Sequence, residues 1–196
     1  PSPNLLFKYK WNNETNGHEM KQQKVIETEL VFEGRAVRLK IDTVLLPSGR
    51  KTTREIVEHS DCVAIIPIKD DGKLVMVRQF RHATGKELLE IPAGGIEKGE
   101  DAISCVRREL QEETGFYPEE VKPLGGFYAA PGYCSEYLYL FLAKGLRPSR
   151  LIAEDTEEIQ VVNIDLSEVP SLIASGEICD SKSIAGLLRY IFIGDR

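Results

Sequence analysis

Between Gly94 and Phe116 the chain reads GGIEKGEDAISCVRRELQEETGF, and no other stretch restricts the fold as strongly. A glycine-rich turn runs into one helix, and the segment holds six acidic and three basic residues. Gly94, Gly95 and Gly99 allow a tight path into the helix, predicted over about Glu100 to Thr114 and stopped by Gly115. At about 100° per residue, Ala102, Ile103, Val106 and Leu110 form one apolar stripe that should face a sheet. Glu109 and Glu113, one turn apart, project within a narrow angle of Ala102, at the edge of that buried face. Glu112 lies further round, and Ser104, Arg108 and Gln111 point more outward. Glu100 opens the helix and reaches the cluster only if the preceding loop curves back.

Like charges one turn apart repel by roughly 0.2–0.5 kcal/mol. Partial burial makes the pair costlier still, unless the carboxylates are paired or bind a metal. An oxygen-only cluster suits Mg²⁺ or Mn²⁺, which retain waters and bridge to substrate phosphates. A calcium-binding structural module fits poorly, because the alternating D-x-[DN]-x-[DN]-G pattern with its distal glutamate is missing.

The 196 residues suffice for one full core with a small appendage, burying roughly 70% of the extended surface. With 42% hydrophobic and 29% charged residues, the composition is that of a folded soluble protein. No stretch approaches the ~20 apolar residues of a membrane span, and the first residues lack the apolar run of a secretory leader. Net charge is −6, which argues against a general nucleic-acid binder. An anionic small molecule would need local cationic help. The four cysteines, Cys62, Cys105, Cys134 and Cys179, form no CxxC pair. Reduced thiols in a cytoplasmic protein fit them better than a disulfide scaffold or a zinc site.

Two domains are expected, 1–60 and 61–196. In the first, Val25–Phe32, Ala36–Asp42 and Thr52–Glu58 read as strands, with turns at Glu33-Gly34 and Pro47-Ser48-Gly49-Arg50. About 60 thinly apolar residues are marginal alone, so this module should lean on the main domain or on a second subunit. In the second, Cys62–Ile68 and Leu74–Phe80 are strands flanking a hairpin turn at Asp70-Asp71-Gly72-Lys73. Further strands are expected at Glu87–Ile91, Val121–Tyr128, Tyr137–Ala143 and Ile159–Ile164. Helices are expected at Ser167–Ala174 and from Ser181 to about Phe192, with Ser167 and Asp180 or Ser181 as caps. The fold class is mixed α/β, with helices covering a sheet.

Gly94, five residues, Glu100, seven residues, then Arg108-Glu109-Leu110-Gln111-Glu112-Glu113-Thr114-Gly115-Phe116 resembles the Nudix box at every fixed position. The resemblance implies a Nudix-type α/β/α sandwich with a mixed sheet, plus a small amino-terminal antiparallel β module. It also implies hydrolysis of a nucleoside diphosphate linked to another group, with Mg²⁺ (or Mn²⁺) held by box carboxylates. On that resemblance Glu109 and Glu113 are the principal metal ligands, Glu112 assists, and the Ala93 carbonyl completes the shell. Arg108 orients a glutamate, and Glu100 supports the loop–helix geometry.

Flanking segments are similar to the ADP-ribose pyrophosphatase subfamily: Arg54 to His59, Val77 to Arg81, Leu88 to Gly94, and Ala130 to Glu136. The subfamily implies a homodimer that exchanges amino-terminal modules, with substrate where subunits meet. Arg54 and Arg81 then contact the diphosphate or terminal ribose, Glu136 lies near the substrate, and Phe32 stacks on adenine. A catalytic glutamate is expected on the acidic loop Glu154-Asp155-Thr156-Glu157-Glu158, Glu157 first and Glu154 or Glu158 after it. The reading is a cytoplasmic Mg²⁺-dependent enzyme that converts ADP-ribose to AMP and ribose 5-phosphate, with neither nucleic-acid nor membrane partners. A sister activity on UDP-glucose or GDP-mannose is the nearest rival, and a non-catalytic nucleotide-sugar sensor the more distant one.

Overall fold

The structure, a computed structural model, describes residues 23–153 and 158–194. They fall into two compact units: residues 23–60 with Ala130–Glu136, and Asp61–Ala129 with the described residues from Tyr137 onward.

The smaller unit is an antiparallel meander of β1 (Lys24–Glu33), β2 (Arg38–Leu45) and β3 (Lys51–Glu58). The turns at Gly34 and Gly49 lie where the sequence places them, and β2 runs further toward Leu45 than its pattern predicts. The segment 130–136 joins β3 through Val57 N–H to Tyr133 O (2.8 Å) and Ser135 N–H to Val57 O (3.0 Å). This sheet has almost no core of its own. Every residue of β1 is exposed, including Val25, Ile26, Leu30, Val31 and Phe32. Asp42 is buried instead, and it accepts a 2.7 Å hydrogen bond from Thr28 Oγ1.

In the larger unit, β4 (Cys62–Pro67), β7 (Ala93–Gly95), β8 (Phe116–Tyr128) and β9 (Tyr137–Pro148) form one sheet in the order β7–β4–β9–β8. It is mixed: β4 and β9 run parallel, and the other pairs are antiparallel. A second, antiparallel sheet has the order β10–β5–β6, from β5 (Leu74–Arg81), β6 (Lys86–Glu90) and β10 (Gln160–Ile164). The expected β4–β5 hairpin is therefore only a turn. Lys69 and Lys73 are hydrogen-bonded and Ile68 bridges Leu74, but beyond that point the strands enter different sheets. The reason is in β4 itself, whose six residues are all buried and whose edges are taken by β7 and β9. The three-residue β7 has no strand pattern to read, being Ala-Gly-Gly.

One face of β4 and β9 (Cys62, Ala64, Ile66, Leu138, Leu140, Leu142) packs with Leu74, Met76, Ile91 and the carboxy-terminal helices. Val63, Ile65, Phe141 and Ala143 alternate to the other face and are also buried; α1 (Ala102–Glu113) packs against β4, β7 and β8. Its buried stripe is Ala102, Cys105, Val106 and Leu110, with Ile103 displaced to the margin. A 3-10 turn at Leu166–Glu168 precedes α2 (Val169–Ser175), and α3 (Ser181–Ile193) closes the fold. Among the described residues, no helix is long and apolar enough to cross a membrane.

Two details dock α3 on the end of β6. Gly186 lets the helix approach closely, since a Cβ there would lie 2.9 Å from Leu140 Cδ1 and 3.1 Å from Ile91 Cδ1. Ser183 Oγ, fully buried, accepts a 2.9 Å hydrogen bond from Ile91 N–H. Ser183→Ala strands that buried amide, so urea denaturation should show a loss of about 1–3 kcal/mol with an unchanged m-value.

Candidate active site

β7 is short because its work is to bring backbone close to α1. It pairs with β4 through Ala64↔Ala93 and Val63↔Gly94, which fixes its distance from the sheet. A Cβ on Gly94 would sit 2.0 Å from the Glu109 carboxyl group, so any other residue here would push that carboxylate out of its present position. The following loop is held by Ile96 N–H to Asp61 O (3.0 Å) and Glu97 N–H to Glu100 Oε2 (3.0 Å). Asp101 caps α1, accepting from the Ile103 and Ser104 amides at 3.0 Å each. The helix thus begins after Glu100, and Gly115 (φ 76°) follows its last turn. Curvature of the loop turns Glu100 back over the helix.

What receives Glu100 is Arg108, which does not point outward as the helical projection suggests. Its guanidinium donates to Glu100 Oε1 and Oε2 (2.9 Å each), Glu109 Oε1 (2.6 Å), Glu112 Oε2 (3.1 Å) and Gly95 O (3.0 Å). A projection of Cβ positions misses this, because the long flexible stem can swing its charge toward three carboxylates. Arg108 holds the Glu100 carboxyl below its usual range, against a smaller opposing effect of burial.

Glu109 and Glu113 are each only 8% exposed. Burial raises the Glu109 carboxyl in spite of Arg108. Glu113 is pushed up to about 8, first by burial and then by the Glu109 charge. Its one hydrogen bond among the described residues is from Ala93 N–H to Oε2 at 3.2 Å. Ionised and without a counter-ion, this buried pair is costly. Glu109, Glu112 and Glu113 share the last turns of α1, with Glu113 bonded to the β7 backbone, and oxygen donors of this kind are chemically fitted to a hard divalent cation. Cys105 is no part of the donor set; its Sγ lies 3.4 Å from Gly95 O, and burial pushes the thiol far above its usual range.

Arg81, at the end of β5, is in this unit and acts electrostatically on Glu113. Its guanidinium is already engaged by Glu90, a buried carboxylate that the sequence reading did not single out. Lys182 on α3, also overlooked, binds Glu90 as well. A charge inside the apolar run Leu88-Leu89-Glu90-Ile91 was the available signal for Glu90; Lys182 offered none.

The other expected residues belong to the smaller unit. Arg54 lies on β3, exposed, and donates to Thr53 O at 2.9 Å. Phe32, on β1, is 56% exposed and therefore not a core residue of its sheet. Glu136 lies 3.7 Å from His59 Nδ1. Glu157 and Glu154 fall outside the described residues, and Glu158 occupies an exposed turn.

Comparison with known proteins agrees with this geometry. The NUDIX domain family model matches residues 58–185. A methanol dehydrogenase activator from Bacillus methanolicus is 41% identical over 165 residues, covering 83% of this chain and 89% of that one. An ADP-ribose pyrophosphatase from Bacillus subtilis (strain 168) is 37% identical over 173 residues, covering 87% and 92%. The fold is similar to a crystal structure described as an ADP compounds hydrolase, with a TM-score of 0.81 at 22% identity, covering 89% of this chain and 95% of that one. The glycine strand, the carboxylate helix and the matched family model together establish that the chain belongs to the Nudix family of hydrolases.

Proposed function

We propose that the protein hydrolyses the diphosphate of ADP-ribose with Mg²⁺, giving AMP and ribose 5-phosphate in the cytoplasm. The observation that carries the reading is the pair of buried, like-charged carboxylates on α1, Glu109 and Glu113, beside the backbone of β7. The relative named ADP-ribose pyrophosphatase supports the choice of substrate. Glu109, Glu112, Glu113 and the Ala93 carbonyl would hold the ion, with Mn²⁺ as a substitute. When bound, the ion supplies neutralisation of phosphate charge and acidification of a water.

The chain's own residues do the rest. Arg108 keeps Glu109 and Glu112 oriented while its hydrogen bonds to Glu100 tie the helix to the loop. Water adds to one phosphorus, the bridging P–O bond breaks, and the departing phosphate takes the electron pair. A glutamate of the 154–158 loop, Glu157 first, accepts the proton of that water. Arg81 binds the diphosphate from within the unit. Arg54, Phe32 and Glu136 complete the pocket, and the amino-terminal modules of a homodimer exchange to bring them there. The exposed apolar residues of β1, Val25, Ile26, Leu30, Val31 and Phe32, support that pairing.

A second reading has a specific observation behind it, the relative named as a methanol dehydrogenase activator. Stimulation of a methanol dehydrogenase that survives Glu113→Gln would place activation outside hydrolysis; stimulation lost with that variant would make hydrolysis its cause.

Release of AMP from ADP-ribose, measured with Mg²⁺ against UDP-glucose and GDP-mannose, tests the main reading. ADP-ribose should be turned over with the highest kcat/KM. Glu109→Gln and Glu113→Gln should each lower that value by about 100-fold or more while the protein stays folded. Turnover that survives both, or none on any of the three, rejects the reading.

Glu113 also makes stability depend on pH. Its carboxyl is raised from 4.5 to about 8, so the folded protein holds a proton that the unfolded chain has released. That contribution is complete below pH 4.5 and is lost as pH rises to about 8. Metal-free protein should melt at progressively lower temperature across this window, and Glu113→Gln should flatten the dependence. Mg²⁺ should raise the melting temperature more at pH 8 than at pH 6.

For the assembly, sedimentation velocity should give a dimer at micromolar concentration. Leu30→Lys with Val31→Lys, which charges both faces of β1, should shift it to monomer; a wild-type monomer would remove the pairing.

A further inference from the structure

Glu90 closes β6 within the run Leu88-Leu89-Glu90-Ile91-Pro92 and is 1% exposed. A carboxylate so placed stays ionised only if cations meet it there. Two do, from different elements. Arg81 brings Nε to Oε1 at 3.0 Å and Nη2 to Oε2 at 2.6 Å, a two-point fork. Lys182 brings Nζ to Oε2 at 2.5 Å and also to Asp180 Oδ1 at 2.9 Å. Burial opposes the charge on Glu90, but the two cations hold its carboxyl below its usual range.

The fork spends only one edge of the guanidinium. Nε and Nη2 face Glu90, whereas among the described residues Nη1 has no hydrogen-bond partner. The Arg81 side chain is still 39% exposed, so it is anchored at one edge and open at the other. Neutralising Glu90 does not require this geometry, because Lys182 already provides a full charge on Oε2. Two planar N–H contacts give Arg81 a fixed orientation, which a single ammonium contact could not. Lys182 is itself fixed, since Asp180 caps α3 through the Ser183 amide (3.1 Å) and Ser183 is bonded to Ile91. The end of β6 and the start of α3 thereby form one rigid mount. Both cations also draw down the Glu113 carboxyl, which puts the mount within electrostatic reach of the acidic helix.

We infer that Glu90 is a positioning residue for diphosphate binding: its buried carboxylate, locked by Lys182, grips Arg81 through Nε and Nη2 so that Nη1 presents its N–H groups to a phosphate oxygen. The inference rests on the reading of Arg81 as a diphosphate contact. Glu90 touches no substrate and acts only through that arginine.

The test is calorimetric titration of ADP-ribose into the full-length protein in EDTA, which separates binding from turnover, together with KM and kcat in Mg²⁺. Arg81→Ala should weaken binding about 10-fold or more. Glu90→Gln keeps the shape but loses the fork, and should weaken it comparably. The double variant should be no worse than Arg81→Ala alone, which a merely structural role would not produce. In Mg²⁺, KM should rise with kcat within about threefold of wild type. If Glu90→Gln fails to fold, Glu90→Gln with Lys182→Met removes the stranded cation, and the same comparison applies. A folded Glu90 variant with wild-type affinity, beside a weakened Arg81→Ala, overturns the inference alone. Wild-type affinity in Arg81→Ala overturns it together with the Arg81 assignment, and leaves the Glu113→Gln test of hydrolysis standing.

Discussion

Glu109 and Glu113 carry two like charges into the edge of a packed helix–sheet interface, and much of the nearby structure can be understood as what makes this tolerable. Gly94 yields the volume that a side chain would need. Ala93 gives one amide, Arg108 spreads one guanidinium over three carboxylates, and Arg81 with Lys182 adds positive potential at Glu113. None of these fully neutralises the pair; Glu113 remains pushed up to about 8. A fold that only had to be stable would place leucine or methionine there, because replacing buried charge by apolar volume commonly stabilises. Retained strain of this kind is expected where an ion and a phosphate complete the arrangement.

The same constraint explains features of the sheet. For β7 to reach α1 it must leave the direction of β6, and Ile91-Pro92 makes the change: Pro92 has no N–H to give a ladder, but its carbonyl accepts from Ile65 N–H at 2.9 Å. β6 then belongs to one sheet and β7 to the other. The junction needs support, and α3 gives it through Ser183, Lys182 and the close approach at Gly186. A helix remote in sequence is thus tied to the strand ends that carry Glu90 and Ala93.

How far the sequence could be read depended on the kind of signal involved. Elements marked by a continuous apolar run, as β4, or by helical periodicity, as α1 and α3, were legible to within a few residues. The loop–helix box was legible because its chemistry depends on residue types at fixed spacing. Partner choice was not: β4 and β5 share a turn that reads as a hairpin, yet burial on both sides of β4 sends β5 to another sheet. Side-chain reach was not legible either. The projection put Arg108 outward, whereas its stem brings the charge back over Glu109. Lys182 lies 92 residues from Glu90, and no local pattern announces a contact that only tertiary packing creates.

Charge balance argues for where the remaining cations must come from. The protein carries a net charge of −6, its acidic helix adds local negative potential, and the proposed substrate is itself a diphosphate. Arg108 is fully occupied by carboxylates and the Gly95 carbonyl, so it holds ligands in place but has little left for phosphate. Lys182 is shared between Glu90 and Asp180. Within the larger unit, Arg81 keeps an open edge, and one such group does not offset two phosphates in a field of glutamates. On the proposed reading, a divalent ion would strengthen binding as well as supply chemistry. Exposed arginine outside this unit, Arg54 above all, gains its proposed role on the same ground. A net-negative chain favours a diphosphate where cations and a metal ion raise the local potential, and the open edge of Arg81 is such a contribution within the larger unit.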